Sequence, residues 1–154
     1  MTQVMTQASS TPKVLAPGKG DRFQMLTHKM VVKIDRDATQ NQWVMYEASD
    51  SLGNGAPLHT HPWEETFYML SGELEVTIGR REVVAAAGAS IHFPADIAHG
   101  FRVSSPEAKL LIILPGFADA FYREVGDRAI VLPDHLDEFL AVCDRHQVRI
   151  FNPA

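Results

Sequence analysis

The sequence predicts a mainly β fold, an antiparallel architecture closed or sandwiched on itself, with short helices added at its C-terminal end. Three observations predict it. Short alternating or β-branched and aromatic stretches recur from about Lys29 to Leu114. Turn residues separate them, and no helical crossover lies between, which argues against a parallel sheet. After Pro115 the apolar spacing changes from that of a strand to that of a helix.

Taken in order, residues 1–20 are polar, hold several Pro and Gly, and read as a flexible N-terminal arm ending at APGKG. Residues 21–114 form the β domain. Within it Met30, Val32 and Ile34 alternate, DRDATQN has the composition of a turn, and QWVMYEA reads as the next strand. Leu74, Val76 and Ile78 alternate with Glu73, Glu75 and Thr77, and Gly72, Gly79 and Gly88 mark turns. Eight or nine short strands are expected here. Residues 115–154 form a helical extension with a final extended segment. Phe117, Phe121 and Val125 recur four apart, with Gly126 placed to end that helix. Leu136, Phe139, Leu140 and Cys143 make a second apolar stripe, with Asp134 placed to cap it.

At 154 residues the chain is one domain's length, and its 45% apolar content is enough for a substantial core. Nineteen acidic residues against 14 basic give a formal net charge of -5, so no basic surface is offered to nucleic acid or to anionic lipid. The longest strongly apolar run, Leu110–Leu114, is too short to span a bilayer. MTQVMTQASS lacks the features of a secretory signal, and the single cysteine, Cys143, excludes an internal disulfide. A cytoplasmic protein is the expectation. No serine or cysteine triad and no phosphate-binding glycine loop is visible.

The chemistry concentrates in GNGAPLHTHPWEETFYMLSG, residues 53–72. His59 and His61 are two apart, so an extended chain turns both to one face, and Glu65 shares their parity. His99 opens a later strand. Imidazole and carboxylate donors suit Fe, Mn, Co, Ni, Cu or Zn. On residues alone the alternative stands level: H-x-H is common as surface polarity or a packed pair. Glu64 stands beside Glu65, and composition does not choose between them.

The segment resembles the cupin superfamily, whose first motif reads G, five residues, H-x-H, three or four residues, E, six residues, G. Gly53, His59, His61, Glu65 and Gly72 fill it without a gap. In the second motif Gly88, Pro94 and His99 match, while Asp96 replaces a glycine and Val103 an asparagine. The resemblance implies a double-stranded β-helix, or jelly-roll barrel, over residues 21–114. It also implies one divalent transition ion per chain, held by His59, His61, Glu65 and His99. The chain is most similar to small quercetin-dioxygenase-like cupins. That likeness implies an oxygenase acting on a small aromatic or enol-containing compound, with Glu65 as both ligand and proton-transfer base. A non-enzymatic binder or sensor is the alternative, as is a metal-dependent sugar isomerase, epimerase or lyase.

Trp63, Phe67 and Met69 share parity with Glu65, and Phe101 and Val103 follow His99. All five are candidates to border a small-molecule ligand, with core filling the competing role for Phe67 and Met69. His92 is read as hydrogen-bonded on an outer face, and His28, His135 and His146 as surface residues. A homodimer is expected, because a small β domain has limited area to bury and outer strand edges invite pairing.

Overall fold

The computed structural model describes residues 11–151, so residues 1–10 of the expected arm and residues 152–154 lie outside the described part. Residues 11–20 form no strand or helix. Lys13 pairs with Asp35, and the Lys19 carbonyl accepts from Lys33 Nζ at 2.8 Å.

Eleven strands follow among the described residues: β1 (Asp21–Met25), β2 (His28–Ile34), β3 (Trp43–Ser51), β4 (Gly55–Thr60), β5 (Glu65–Ser71), β6 (Glu73–Ile78), β7 (Arg81–Ala86), β8 (Ser90–Phe93), β9 (His99–Val103), β10 (Glu107–Pro115) and β11 (Arg149–Ile150). All pairings are antiparallel. Six strands form one sheet in the order β1-β2-β3-β10-β5-β8, and five form another in the order β11-β4-β9-β6-β7.

These sheets correct the expected jelly-roll barrel. Among the described residues neither closes on itself and no ladder passes from one to the other, leaving β1 and β8 as edges of one sheet and β11 and β7 as edges of the second. Side chains hold the two sheets together instead of backbone hydrogen bonds. Phe67 of the six-stranded sheet meets Phe101 of the five-stranded sheet edge to face, with centroids 5.4 Å apart. Alternation dictates which face of each strand is buried, and it does so equally well for an open sheet.

Val44, Tyr46 and Ala48 of β3 and Leu110, Ile112 and Leu114 of β10 are buried, as the period of two requires. Two turn positions need the left-handed backbone region. Gly72 has φ +75°, and an added Cβ there would lie 2.7 Å from both Ala108 Cα and Ser105 Oγ. Asp96, standing where the cupin pattern has glycine, takes φ +63° and donates its N–H to the His61 carbonyl at 2.9 Å. Aspartate tolerates that region better than most side chains.

Helix α1 (Asp119–Asp127) follows a short 3₁₀ turn, Gly116–Ala118, and buries Phe121, Tyr122 and Val125. Gly126 lies within it and does not end it. Helix α2 (Leu136–Arg145) buries Phe139, Val142 and Cys143, while Leu136 and Leu140 of the expected stripe are exposed. His135 occupies its N-cap without a side-chain bond, so Asp134 is not the cap. No helix among the described residues is long and apolar enough to cross a membrane.

Candidate metal centre

The site lies where the chain leaves the five-stranded sheet for the six-stranded one. His59 is in β4 and pairs across the ladder with His99, the first residue of β9. His61 occupies the connection after β4, and Glu65 opens β5 in the facing sheet. The continuing strand that parity assumed is broken at residues 61–64. A turn at the crossing, and not a straight ribbon, brings His61 and Glu65 inward.

One ligand atom from each of His59, His61, Glu65 and His99 lies within 4.8 Å of the others. Glu65 and His99 are 4% and 1% exposed, and His59 alone is half-buried. Each imidazole is turned by a backbone carbonyl two residues away: His59 Nδ1 meets Pro57 O at 2.7 Å, His61 Nδ1 meets Trp63 O at 2.8 Å, and His99 Nδ1 meets Ile97 O at 2.8 Å. A carbonyl only accepts, so Nδ1 carries the proton and Nε2 presents a lone pair.

That arrangement makes the cluster incomplete without a cation. Nε2 of His61 and of His99 lie 3.2 and 3.1 Å from Glu65 Oε2. With Nδ1 already donating, neutral rings set acceptors against a carboxylate oxygen in a buried place. Burial lowers the His59 pKa to about 4, so its lone pair is free at neutral pH. Three neutral nitrogens and one carboxylate form a donor set for a divalent transition metal ion, with no sulfur to narrow the choice.

Aromatic rings wall the cluster. Trp63 stacks on His61 at 4.5 Å and 8°, and Phe93, paired with Glu65 across β5 and β8, stacks on His99 at 4.2 Å and 19°. Trp63, Phe67, Met69 and Val103 are buried, while Phe101 is half-buried between Phe67 and His28. Sequence reasoning missed Phe93 and Tyr122. Tyr122 reaches in from α1, its hydroxyl donating to Glu65 Oε1 at 2.9 Å. The only signal for it is a buried position on a helix, which most often means core.

Two further histidines depart from the surface role expected of them. His28 Nδ1 lies 2.6 Å from Asp50 Oδ2, and His146 Nε2 lies 2.6 Å from Glu124 Oε2. His92 bonds to the Thr66 hydroxyl at 2.8 Å on an exposed face. A cavity of about 510 Å³ lies elsewhere, on the outer side of the five-stranded sheet, bordered by Glu75, Thr77, Glu82, Val84 and Arg102. None of the four converging side chains lines it.

The family model for the cupin domain matches residues 51–114. Quercetin 2,3-dioxygenase of Bacillus subtilis (strain 168) is 30% identical over 124 residues, covering 77% of this chain and 36% of that protein. The chain spans about a third to a half of the curated relatives it matches. Among solved structures, the polyketide cyclase RemF from Streptomyces resistomycificus aligns with a TM-score of 0.61 and 20% identity, covering 69% of this chain and 80% of that one. An RmlC-like cupin from Shewanella frigidimarina NCIMB 400 aligns with a TM-score of 0.62 and 15% identity, covering 72% and 96%. At these identities the structural likenesses speak for the fold alone.

Proposed function

Because the chain belongs to the cupin superfamily, we propose that it is a metal-dependent oxygenase acting on a small aromatic or enol-containing compound. His59, His61, Glu65 and His99 are the proposed ligands of one divalent transition ion. The observation that carries this reading is the coincidence of that cluster with 30% identity, over 77% of the chain, to a protein named as a quercetin dioxygenase. When bound, the ion supplies Lewis-acid polarisation of a substrate oxygen and electron transfer towards dioxygen.

The chain's own residues do the rest. Glu65 is buried at the centre of the cluster, and its carboxylate is the base proposed to take an enol or phenol proton. Trp63 and Phe93 keep water from two of the imidazoles by stacking on them. Phe101 offers a half-buried ring face to a flat ligand. Phe67, Met69 and Val103 support that wall from the core.

Oxygen uptake tests the reading. Iron-, nickel-, manganese- and copper-loaded protein is offered flavonols, catechols and diketones in an oxygen electrode. Substrate-dependent uptake that disappears in Glu65→Gln is the expected result. Tight binding of a compound without uptake would replace the oxygenase by a binder. A homodimer belongs to the same proposal, and light scattering at tens of micromolar should give twice the mass of one chain.

A further inference from the structure

The two oxygens of Glu65 are treated differently. Oε2 faces the Nε2 atoms of His61 and His99. Oε1 turns the other way and accepts the Tyr122 hydroxyl at 2.9 Å. Tyr122 is buried, and because a carboxylate oxygen only accepts, its hydroxyl is the donor of that bond.

The helix that carries Tyr122 is itself fastened to the six-stranded sheet. Asp119, in the first turn of α1, accepts from the buried hydroxyl of Tyr46 in β3. Arg123 and Arg36 approach the same carboxylate at 3.5 and 3.8 Å. The rings of Tyr46 and Tyr122 pack with centroids 5.6 Å apart. Trp63, stacked on His61, supplies an independent sign that the place is built. Its Nε1 is the one buried side-chain polar atom among the described residues without a hydrogen-bond partner. The Trp63 ring lies 6.5 Å from that of Tyr122, centroid to centroid.

From this geometry we infer that Tyr122 is a positioning residue: its hydroxyl occupies Glu65 Oε1 and so fixes Glu65 as a one-oxygen ligand. The inference rests on the metal-binding reading of the four-residue cluster. Its consequence is that α1, outside the strand-borne motifs, completes the centre. A carboxylate released from Tyr122 is free to turn and bind through both oxygens, closing a position that a substrate or dioxygen would use.

Cobalt(II) is the probe, because its visible absorption is strong in four- and five-coordinate sites and weak in six-coordinate ones. Wild type and Tyr122→Phe are titrated with cobalt, and their thermal unfolding is recorded alongside. The expected result is a folded variant whose cobalt affinity falls about 10- to 100-fold, with a visible band changed in intensity and position. An unchanged band in a folded variant, whatever the affinity, would reduce Tyr122 to core packing and overturn the inference. A wild-type chain that binds no cobalt would instead overturn the metal reading beneath it. Should the variant not fold, replacing all three tyrosines by 3,5-difluorotyrosine keeps the fold and strengthens the hydroxyl donor. Tyr68 is exposed, and making the same replacement in a Tyr46→Phe chain takes the Tyr46–Asp119 bond out of the comparison, so a cobalt band shifted by fluorination there supports the role of Tyr122 and an unshifted one overturns it.

Discussion

Two buried carboxylates in this molecule have opposite surroundings. Asp50 accepts from the Thr27 hydroxyl at 2.6 Å, from Asn54 Nδ2 at 2.7 Å and from the Ser51 N–H at 2.8 Å, with His28 Nδ1 at 2.6 Å. Every partner there is a donor. The cluster ties the β1–β2 turn to the β3–β4 turn and needs nothing further. Glu65 also sits among histidines, but their Nδ1 protons are committed to backbone carbonyls and their lone pairs face the carboxylate. A self-satisfied polar cluster is a structural clamp. One that brings acceptors together is satisfied only by a cation.

Substitutions should separate the two clusters. Structural zinc sites of four ligands are worth about 10–16 kcal/mol, so losing one ligand here should weaken metal binding by more than about 100-fold. His99→Ala and Glu65→Gln should show this in a metal titration, and Asp50→Ala should not. Conversely, Asp50→Ala leaves His28, Thr27 and Asn54 without their partner and should cost about 3 kcal/mol in denaturant unfolding, with metal content intact. Metal removal by a chelator should destabilise wild type by about 2.7 kcal/mol relative to protein with free metal at 100 times its Kd. His99→Ala should lose that difference, while Asp50→Ala keeps it.

Acid should act on the clusters in two windows, observed in metal-free protein. The folded pKa of His59 is lowered to about 4 by burial, against an ordinary 6.5. The unfolded chain then takes up a proton first, and stability falls as pH drops from 6.5 towards 4. For Asp50 burial would raise the pKa, but hydrogen bonds from His28, Thr27, Asn54 and Ser51 outweigh it and hold the group below its ordinary 3.8. Its contribution is present above 3.8 and is lost as pH falls further. A stability profile from pH 8 to 2.5 should show both steps, and His59→Ala should remove only the upper one.

What could be read from the sequence follows the range of the interactions. His59, His61 and Glu65 lie within seven consecutive residues, and His99 carries its own local pattern, so spacing brought the four together on the page. Tyr122 lies 57 residues from Glu65 in the chain and reaches it by tertiary packing alone. The Asp50 clamp was hidden for the same reason: His28, Asp50 and Asn54 look like ordinary turn and surface residues until the strands pair. Alternation gave the buried face of β6, where Leu74 and Val76 are buried, but not whether the sheet edges would meet. That depends on register and twist between strands far apart in the chain, and here they stay open. Asp96 is the instructive intermediate case. It is a departure from the cupin pattern that the turn absorbs at φ +63°.

The claim that the Glu65 cluster is a metal centre is tested most directly by elemental analysis of protein purified without an affinity tag, beside His59→Ala and His99→Ala. Wild type should carry one divalent transition ion per chain and both variants essentially none. Equal metal content in all three would contradict the four-residue centre.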